Sequence, residues 1–269
     1  MDYYERTLFN HRLGTINPED GAMMYYLPLG SGYWKTFGKP FDAFWCCTGT
    51  GSEEYAKLGD TIYFHDHDSL YVNLYIDSQL DWVEKGIRVK QQTRFPEEEG
   101  TTLTIMGKDP LPLSVNLRIP YWAQGGSVKV NGTALPAFSS PGSYLVLNRV
   151  WKPGDKIELS LPMRLHMDSM PDDDTIQAAM YGPLVLAGRF EKVTRDTSYG
   201  VYGPKRGTQS QVPDLTADPA KPLAWVEPDP KQSLTFNVVG QSQPITLVPL
   251  YKVIQERYAV YWKFNRPSA

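Results

Sequence analysis

The spacing of apolar residues changes character near Thr61. Before it, Tyr4, Leu8 and Phe9 recur at helical spacing and predict a helix that ends near Gly14. An irregular stretch rich in glycine, proline and aromatic residues comes next, NPEDGAMMYYLPLGSGYWKTFGKPFDAFW, and runs into FWCCTGTGSEEYAKLGD at 44–60. There Thr50 and Glu53 stand at capping-box spacing, which predicts a short helix over residues 52–58 that stops at Gly59. Two short helices and a long loop have too little apolar surface to cover each other. Residues 1–62 therefore read as the end of a larger helical domain, packed less completely than residues 63–269.

From Thr61 the period is two. TIYFHDHDSLYVNLYI predicts two strands around an Asp/His/Ser turn, and GIRVKQQTRF, TTLTIMG, LSVNLRIP, SVKVNGTAL, SYLVLNRVW and KIELSLPMRLHM predict more. Asn131-Gly132 is a strong hairpin signal, and KPGD at 152–155 is a second turn. Short strands with frequent turns describe an antiparallel sandwich over residues 63–167. A second β-rich module, 168–269, opens with TIQAAMYGPLVLAG and closes with SLTFNVV, PITLVPLYKV and RYAVYWKF. Between them lies a stretch at 194–222 that is poor in aliphatic residues and predicts a long surface loop. The fold class is mainly β, with antiparallel sandwich modules behind a short helical remnant. No repeat of 20 to 50 residues is visible.

Composition narrows the function classes. A net charge of -3 argues against a general nucleic-acid binder, which needs a basic face. No run approaches the roughly 20 apolar residues of a membrane span. The opening MDYYERTLFNHRLG is polar and helical in period, unlike a signal peptide; the compartment stays open, with a periplasmic or secreted setting favoured. Aromatics at 13% fit core filling and sugar stacking alike.

The sharpest chemical signal is Cys46 and Cys47, the chain's two cysteines, side by side. A disulfide between neighbours is strained. Two adjacent thiols can supply at most two of zinc's four donors. Placed ahead of a helix, where positive potential favours the thiolate, one of them can act as a nucleophile. They can also be two small buried hydrophobes. The other candidates read as structural: HDHD at 65–68 as a solvated turn, His11 and His166 as lone histidines, and PDDDT at 171–175 as a solvated connection rather than a calcium loop. NGT at 131–133 fits a glycosylation acceptor, yet the hairpin turn explains it. Glu53 serves best as a helix cap. No Ser/His/Asp signature, phosphate loop or dinucleotide fingerprint occurs.

FDAFWCCTGTGSEEYAKLGDTIYF resembles the zinc-dependent, cysteine-nucleophile β-L-arabinofuranosidase family of glycoside hydrolases. The resemblance continues in family order through LYVNLYIDSQLDW, TRFPEEEGTTLTI, LRIPYWA, VWKPGDKIELSLPM and MYGPLVLAG. The closing LVPLYKVIQERYAVYWKF looks like a C-terminal module carried by many bacterial members. The resemblance implies an (α/α) toroid followed by β-sandwiches, a retaining reaction on terminal β-L-arabinofuranosyl residues, and an L-arabinose-containing oligosaccharide or glycan as partner. It makes Cys46 the nucleophile and a zinc ligand, and Cys47 a second zinc ligand. Family members complete the zinc site with a Glu-x-Cys element and use a separate upstream glutamate as general acid/base. Neither a third cysteine nor a Glu-x-Cys stands in this sequence. The expectation is thus the C-terminal part of such an enzyme, lacking most of the catalytic domain and inactive alone. The alternative is a non-catalytic β-sandwich module that binds carbohydrate or supports another domain, which would have no need of the double cysteine.

Overall fold

The computed structural model describes residues 1–39, 41, 45–136, 138–194 and 203–265. Two compact units make up the chain, one of residues 1–2 and 56–164, the other of residues 3–55 and 165–269. Among the described residues no helix is long and apolar enough to cross a membrane.

The first unit is built from two sheets. One has four strands in the order Ser143–Trp151, Leu111–Ile119, Ser69–Val72 and Tyr63–His65. The other has six, in the order Ser78–Trp82, Ile87–Gln92, Thr101–Gly107, Lys156–Ser160, Ser127–Val130 and Thr133–Ala134. Ile87–Gln92 alternates buried and exposed positions along its whole length, so Ile87, Val89 and Gln91 face inward. Leu70, Val72, Val115 and Leu117 are fully buried on the four-stranded sheet. Each such side chain contributes about 1.5–3 kcal/mol relative to leaving it in water. This is the sandwich that the period-two pattern predicts, with one departure: Ser69–Val72 runs parallel to Leu111–Ile119.

The predicted turns form and bond to each other. Asn131 (φ 52°) and Gly132 (φ 78°) both take positive φ between Ser127–Val130 and Thr133–Ala134, as a two-residue hairpin requires. The Asn131 amide donates to Asp155 Oδ1 at 2.8 Å and accepts from the Lys156 N–H, so the KPGD turn anchors the hairpin. The Lys152 N–H, 2.8 Å from Asp155 Oδ2, is the main cause holding that carboxyl below the usual range. HDHD is likewise a turn, with the Asp68 N–H and the Tyr71 hydroxyl both donating to Asp66.

The second unit centres on a larger sheet. Its path runs Leu215–Thr216, Tyr261–Asn265, Ile176–Tyr181, Leu184–Lys192, Ile245–Pro249, Phe236–Val238 and Val226–Pro228. One face buries Trp225, Phe236, Leu247 and Trp262, and the other buries Met180, Val248, Val253 and Tyr258. The predicted long loop carries Leu215–Thr216, which pairs in parallel with Tyr261–Asn265. Its residues 195–202 lie outside the described residues.

Residues 3–55 find partners that the sequence does not announce. Tyr33–Trp34 pairs antiparallel with Glu256–Ala259, and the Tyr258 hydroxyl donates to the Pro28 carbonyl. Asn10 receives the Val185 N–H on its side-chain oxygen and donates to the Pro183 carbonyl at 2.7 Å. Leu8, Phe9, Met24 and Trp34 are all buried. The helical segment is thus stitched to the last module by contacts some 170 to 230 residues apart in sequence, rather than left with uncovered apolar faces.

One glycine is fixed by close packing. A Cβ on Gly188 would stand 2.3 Å from the Trp262 ring, which is 1% exposed and has nowhere to retreat. Gly188→Ala is expected to destabilise the second unit by about 1–3 kcal/mol, the usual cost of overpacking. Urea unfolding of the variant, monitored by tryptophan fluorescence, checks it; an unchanged midpoint would refute the packing described.

Candidate active site

The double cysteine opens helix α2 (Cys46–Lys57). The Trp45 carbonyl accepts the N–H groups of Thr48 (3.0 Å) and Gly49 (3.3 Å), so the helix begins at the first cysteine. The predicted start at residue 52 is six residues late. Thr50 and Glu53 lie inside the helix, and the Gly-Thr-Gly run is helical rather than a turn. Gly51 has a packing reason: a Cβ there would stand 2.5 Å from Met23 Sδ, so glycine lets α2 approach that side chain.

Cys46 and Cys47 occupy the first turn, where backbone N–H groups have no intrahelical acceptor and the helix dipole favours negative charge. Both thiols are free, Cys46 exposed and Cys47 half-buried. Their sulfurs are 3.9 Å apart. Partial burial is the first cause raising the Cys47 thiol above its ordinary value, and the Cys46 thiol adds to it.

An aromatic group frames the thiols. The Tyr25 hydroxyl lies 4.0 Å from Cys46 Sγ. The Tyr25 ring meets Trp45 at 6.2 Å and Tyr26 edge-on at 4.6 Å. Its bond to Cys46 and then the charge of both thiols push the Tyr25 phenol up to about 12, so it remains a neutral O–H at physiological pH. Tyr25 and Tyr26 also line a cavity of about 510 Å³, together with Arg6, Asn10, His11 and Leu29. His11 sits in a π-turn, Leu8–Arg12, that extends the helix Asp2–Thr7. Such turns often re-aim side chains at functional sites. Burial first, then Arg12, lowers the His11 pKa and keeps the imidazole neutral near pH 7. Glu54 is engaged by Arg12 at 2.5 Å, and the Tyr55 hydroxyl donates to the Arg12 carbonyl at 2.8 Å, which fastens α2 to the π-turn.

Sequence reasoning does not single out Tyr25, Tyr26 or His11 as parts of a site. The only signal is the aromatic pair in AMMYYLPLG, which a core would explain equally well. His65 and His67 sit at the exposed turn of the first unit, whereas the thiols belong to the second. His166 faces Asp168 at 3.7 Å on Leu165–Ser169. Asp42, Ala43 and Phe44, which carry part of the aromatic-glycine frame, lie outside the described residues.

The thiols suit a zinc ion as far as two donors can. Two sulfurs bound tetrahedrally at about 2.3 Å would be about 3.8 Å apart, close to the 3.9 Å found. Among the described residues no group of three or more His, Cys, Asp or Glu side chains could hold a metal ion.

Comparison with known proteins gives this geometry a setting. Residues 1–60 match the family model of the β-L-arabinofuranosidase GH127 catalytic domain, and residues 69–163 match the GH127 middle domain. Residues 166–264 match a domain of unknown function, DUF4986. No curated protein matches the chain. Among solved structures, one described as a glycoside hydrolase aligns with a TM-score of 0.72 at 17% identity over 98% of this chain and 49% of its own. Ara127N-Se, a GH127 β-L-arabinofuranosidase from Geobacillus stearothermophilus T6, gives a TM-score of 0.66 at 20% identity, covering 98% of this chain and 46% of that one. The GH127 β-arabinofuranosidase BT3674 gives 0.69 at 21% identity, covering 99% and 46%. At these identities the likeness establishes the fold, and the chain spans about half the length of these relatives. The two GH127 models together account for most of the first 163 residues, the double cysteine among them, and the chain belongs to the GH127 β-L-arabinofuranosidase family of glycoside hydrolases.

Proposed function

We propose that this chain is the C-terminal part of a retaining glycosidase that removes terminal β-L-arabinofuranosyl residues from glycans, with Cys46 as nucleophile. The observation that carries the reading is the pair of free thiols, 3.9 Å apart on the first turn of α2, inside the residues matched to the GH127 catalytic domain. Two of the solved relatives are described as arabinofuranosidases. A structural or binding module has no use for exposed vicinal thiols at a helix N-terminus.

The reaction takes the retaining scheme with sulfur in place of the usual carboxylate. Cys46 Sγ attacks the anomeric carbon, the glycosidic C–O bond breaks, and a general acid from elsewhere in the intact protein protonates the departing oxygen. Water, deprotonated by that same group, then displaces the sugar from Cys46 and restores the thiolate. The helix N-terminus stabilises the thiolate in both states, and the neutral Tyr25 O–H stands on the side of Cys46 to donate toward it. Zinc held by Cys46 and Cys47, with remaining donors from outside these residues, would keep sulfur deprotonated at neutral pH. The cavity lined by Tyr25, Tyr26 and His11 offers apolar ring faces and a neutral imidazole, a lining suited to an uncharged sugar.

The test uses the intact protein and an aryl β-L-arabinofuranoside. Cys46→Ser is expected to lower kcat by 10³-fold or more, because an alcohol is not ionised at neutral pH. Cys47→Ser is expected to lower both zinc content and rate. Full activity of Cys46→Ser would remove the nucleophile from this reading.

A further inference from the structure

Helix α2 carries the thiols, yet little in its own sequence orients it. Its covered stripe is Cys47, Thr48, Gly51, Glu54 and Tyr55, at i, i+1, i+4, i+7 and i+8, while Cys46, Thr50 and Glu53 on the other side are exposed. Such a stripe is normally apolar, and its burial sets the roll of the helix. Here Tyr55 is the one large side chain with apolar surface on the stripe, and glycine stands at the one buried position. Polar contacts must therefore decide which way α2 is turned.

Two of them converge on one residue. Arg12 Nε meets Glu54 Oε2 at 2.5 Å, both atoms buried, as an ion pair rather than an aligned hydrogen bond. The Arg12 carbonyl accepts the Tyr55 hydroxyl at 2.8 Å and that of Thr15 at 3.0 Å. Glu54 follows Cys47 by seven residues, about two full turns, so the two share one side of the helix; Cys46 stands about 100° around from Cys47. Drawing Glu54 onto Arg12 thus turns Cys47 inward and leaves Cys46 open, which is the exposure observed.

Arg12 can serve as an anchor because it is itself held. It ends the π-turn Leu8–Arg12, in which Asn10 accepts the Val185 N–H at 2.6 Å and donates to the Pro183 carbonyl at 2.7 Å. Val185 lies on Leu184–Lys192, inside the large sheet. A continuous route thus runs from that strand through Asn10 and Arg12 to Glu54, Tyr55 and the thiols, all within the second unit. Arg12 does not line the cavity beside Tyr25. Its reach is to the helix.

We infer that Arg12 is a positioning residue for the reaction assigned to Cys46: acting through Glu54 and Tyr55, it sets the roll of α2 and so aims the Cys46 sulfur. The effect on rate rests on that assignment, while the effect on the two thiols can be read without it. An attacking atom displaced by about 1 Å can cost about 10²-fold in rate.

The test is a double variant, Arg12→Met with Glu54→Met, which removes both charges and leaves neither buried unpaired, so its stability stays near the parent's. In the intact protein with the aryl β-L-arabinofuranoside, kcat is expected to fall about tenfold or more, with KM within a factor of about two. Arg12→Lys, which keeps a cation opposite Glu54, recovers most of the rate. In residues 1–269 alone, limited labelling with iodoacetamide, located by fragmentation mass spectrometry, compares the two thiols. The parent takes label at Cys46 before Cys47, and the double variant loses that preference. Tyr55→Phe, which removes one hydroxyl, moves both readouts the same way by less and carries the test if the double variant does not fold. Three results would overturn the inference: the parent's kcat in the double variant, an unchanged Cys46 preference in a folded variant, or Arg12→Lys no more active than the double variant. Full activity of Cys46→Ser would instead overturn the assignment of the nucleophile, and the labelling would still decide whether Arg12 orients α2.

Discussion

Residues 1–269 alone, incubated with zinc and an aryl β-L-arabinofuranoside, are expected to release no measurable aryl alcohol. The expectation comes from counting groups. A closed zinc site takes four donors, and this chain brings two sulfurs together and no third candidate donor among its described residues. In the proposed reading the general acid comes from outside these residues, so the leaving oxygen must depart as an alkoxide, which forfeits about 10²- to 10⁴-fold in rate. Poor positioning of the sugar without the rest of the proposed site costs several kcal/mol more of the barrier. These losses multiply. On the proposed reading, a longer chain that carries a whole GH127 catalytic domain together with these residues is expected to turn over the substrate. Zinc-dependent turnover by the 269 residues alone would mean that the acid and the missing donors lie within them.

The second large effect concerns stability. Lys35 is 4% exposed, and its ammonium donates to the Leu250 carbonyl at 2.8 Å. Burial drives its pKa from the ordinary 10.5 down to about 7. In the folded state the neutral amine is favoured, while the unfolded chain keeps the proton up to about pH 10.5. Between those limits the unfolded state binds more protons, so stability rises with pH from about 7 to about 10.5 and is lost again as pH falls toward 7. The span of the two values corresponds to roughly 5 kcal/mol, an order of magnitude for a buried group. Lys35→Met carries no proton at any pH, so its stability should lack this rise. At pH 7 the variant should equal or exceed the parent, the loss of the Leu250 contact offsetting about 1–3 kcal/mol of the relief. Urea unfolding of both proteins at pH 7 and pH 9.5 measures it. If the two stability profiles run parallel, burial does not lower the Lys35 pKa in the folded state as this geometry requires.

How much of the fold is legible in the sequence depends on the range of the contact. Ile87–Gln92 and the Asn131-Gly132 hairpin are local: alternation and a positive-φ turn identify them without knowledge of their neighbours. The parallel pairing of Ser69–Val72 with Leu111–Ile119 has no local sign, because either strand could pair elsewhere with the same pattern. The start of α2 is hidden because Gly49, Thr50 and Gly51 carry the chemistry of a turn, and only the approach of Met23 explains why glycine is needed inside the helix. The partners of Asn10, Lys35 and Trp34 come from the far end of the chain and leave no trace in their own surroundings. At the site, adjacency alone leaves Cys46 and Cys47 open among ligand, nucleophile and buried hydrophobe. Their exposure and spacing remove the third reading. Tyr25 becomes visible only when the loop folds its hydroxyl toward Cys46.

The proposed chemistry makes sulfur the atom that takes the sugar, and one measurement addresses that directly. The intact enzyme is mixed with an activated aryl β-L-arabinofuranoside, quenched in acid during turnover, digested and analysed by mass spectrometry. The prediction is a pentosyl group on the peptide that contains Cys46, localised to that sulfur and absent from Cys46→Ala. A pentosyl group found instead on a carboxylate, or full turnover by Cys46→Ala, would contradict it.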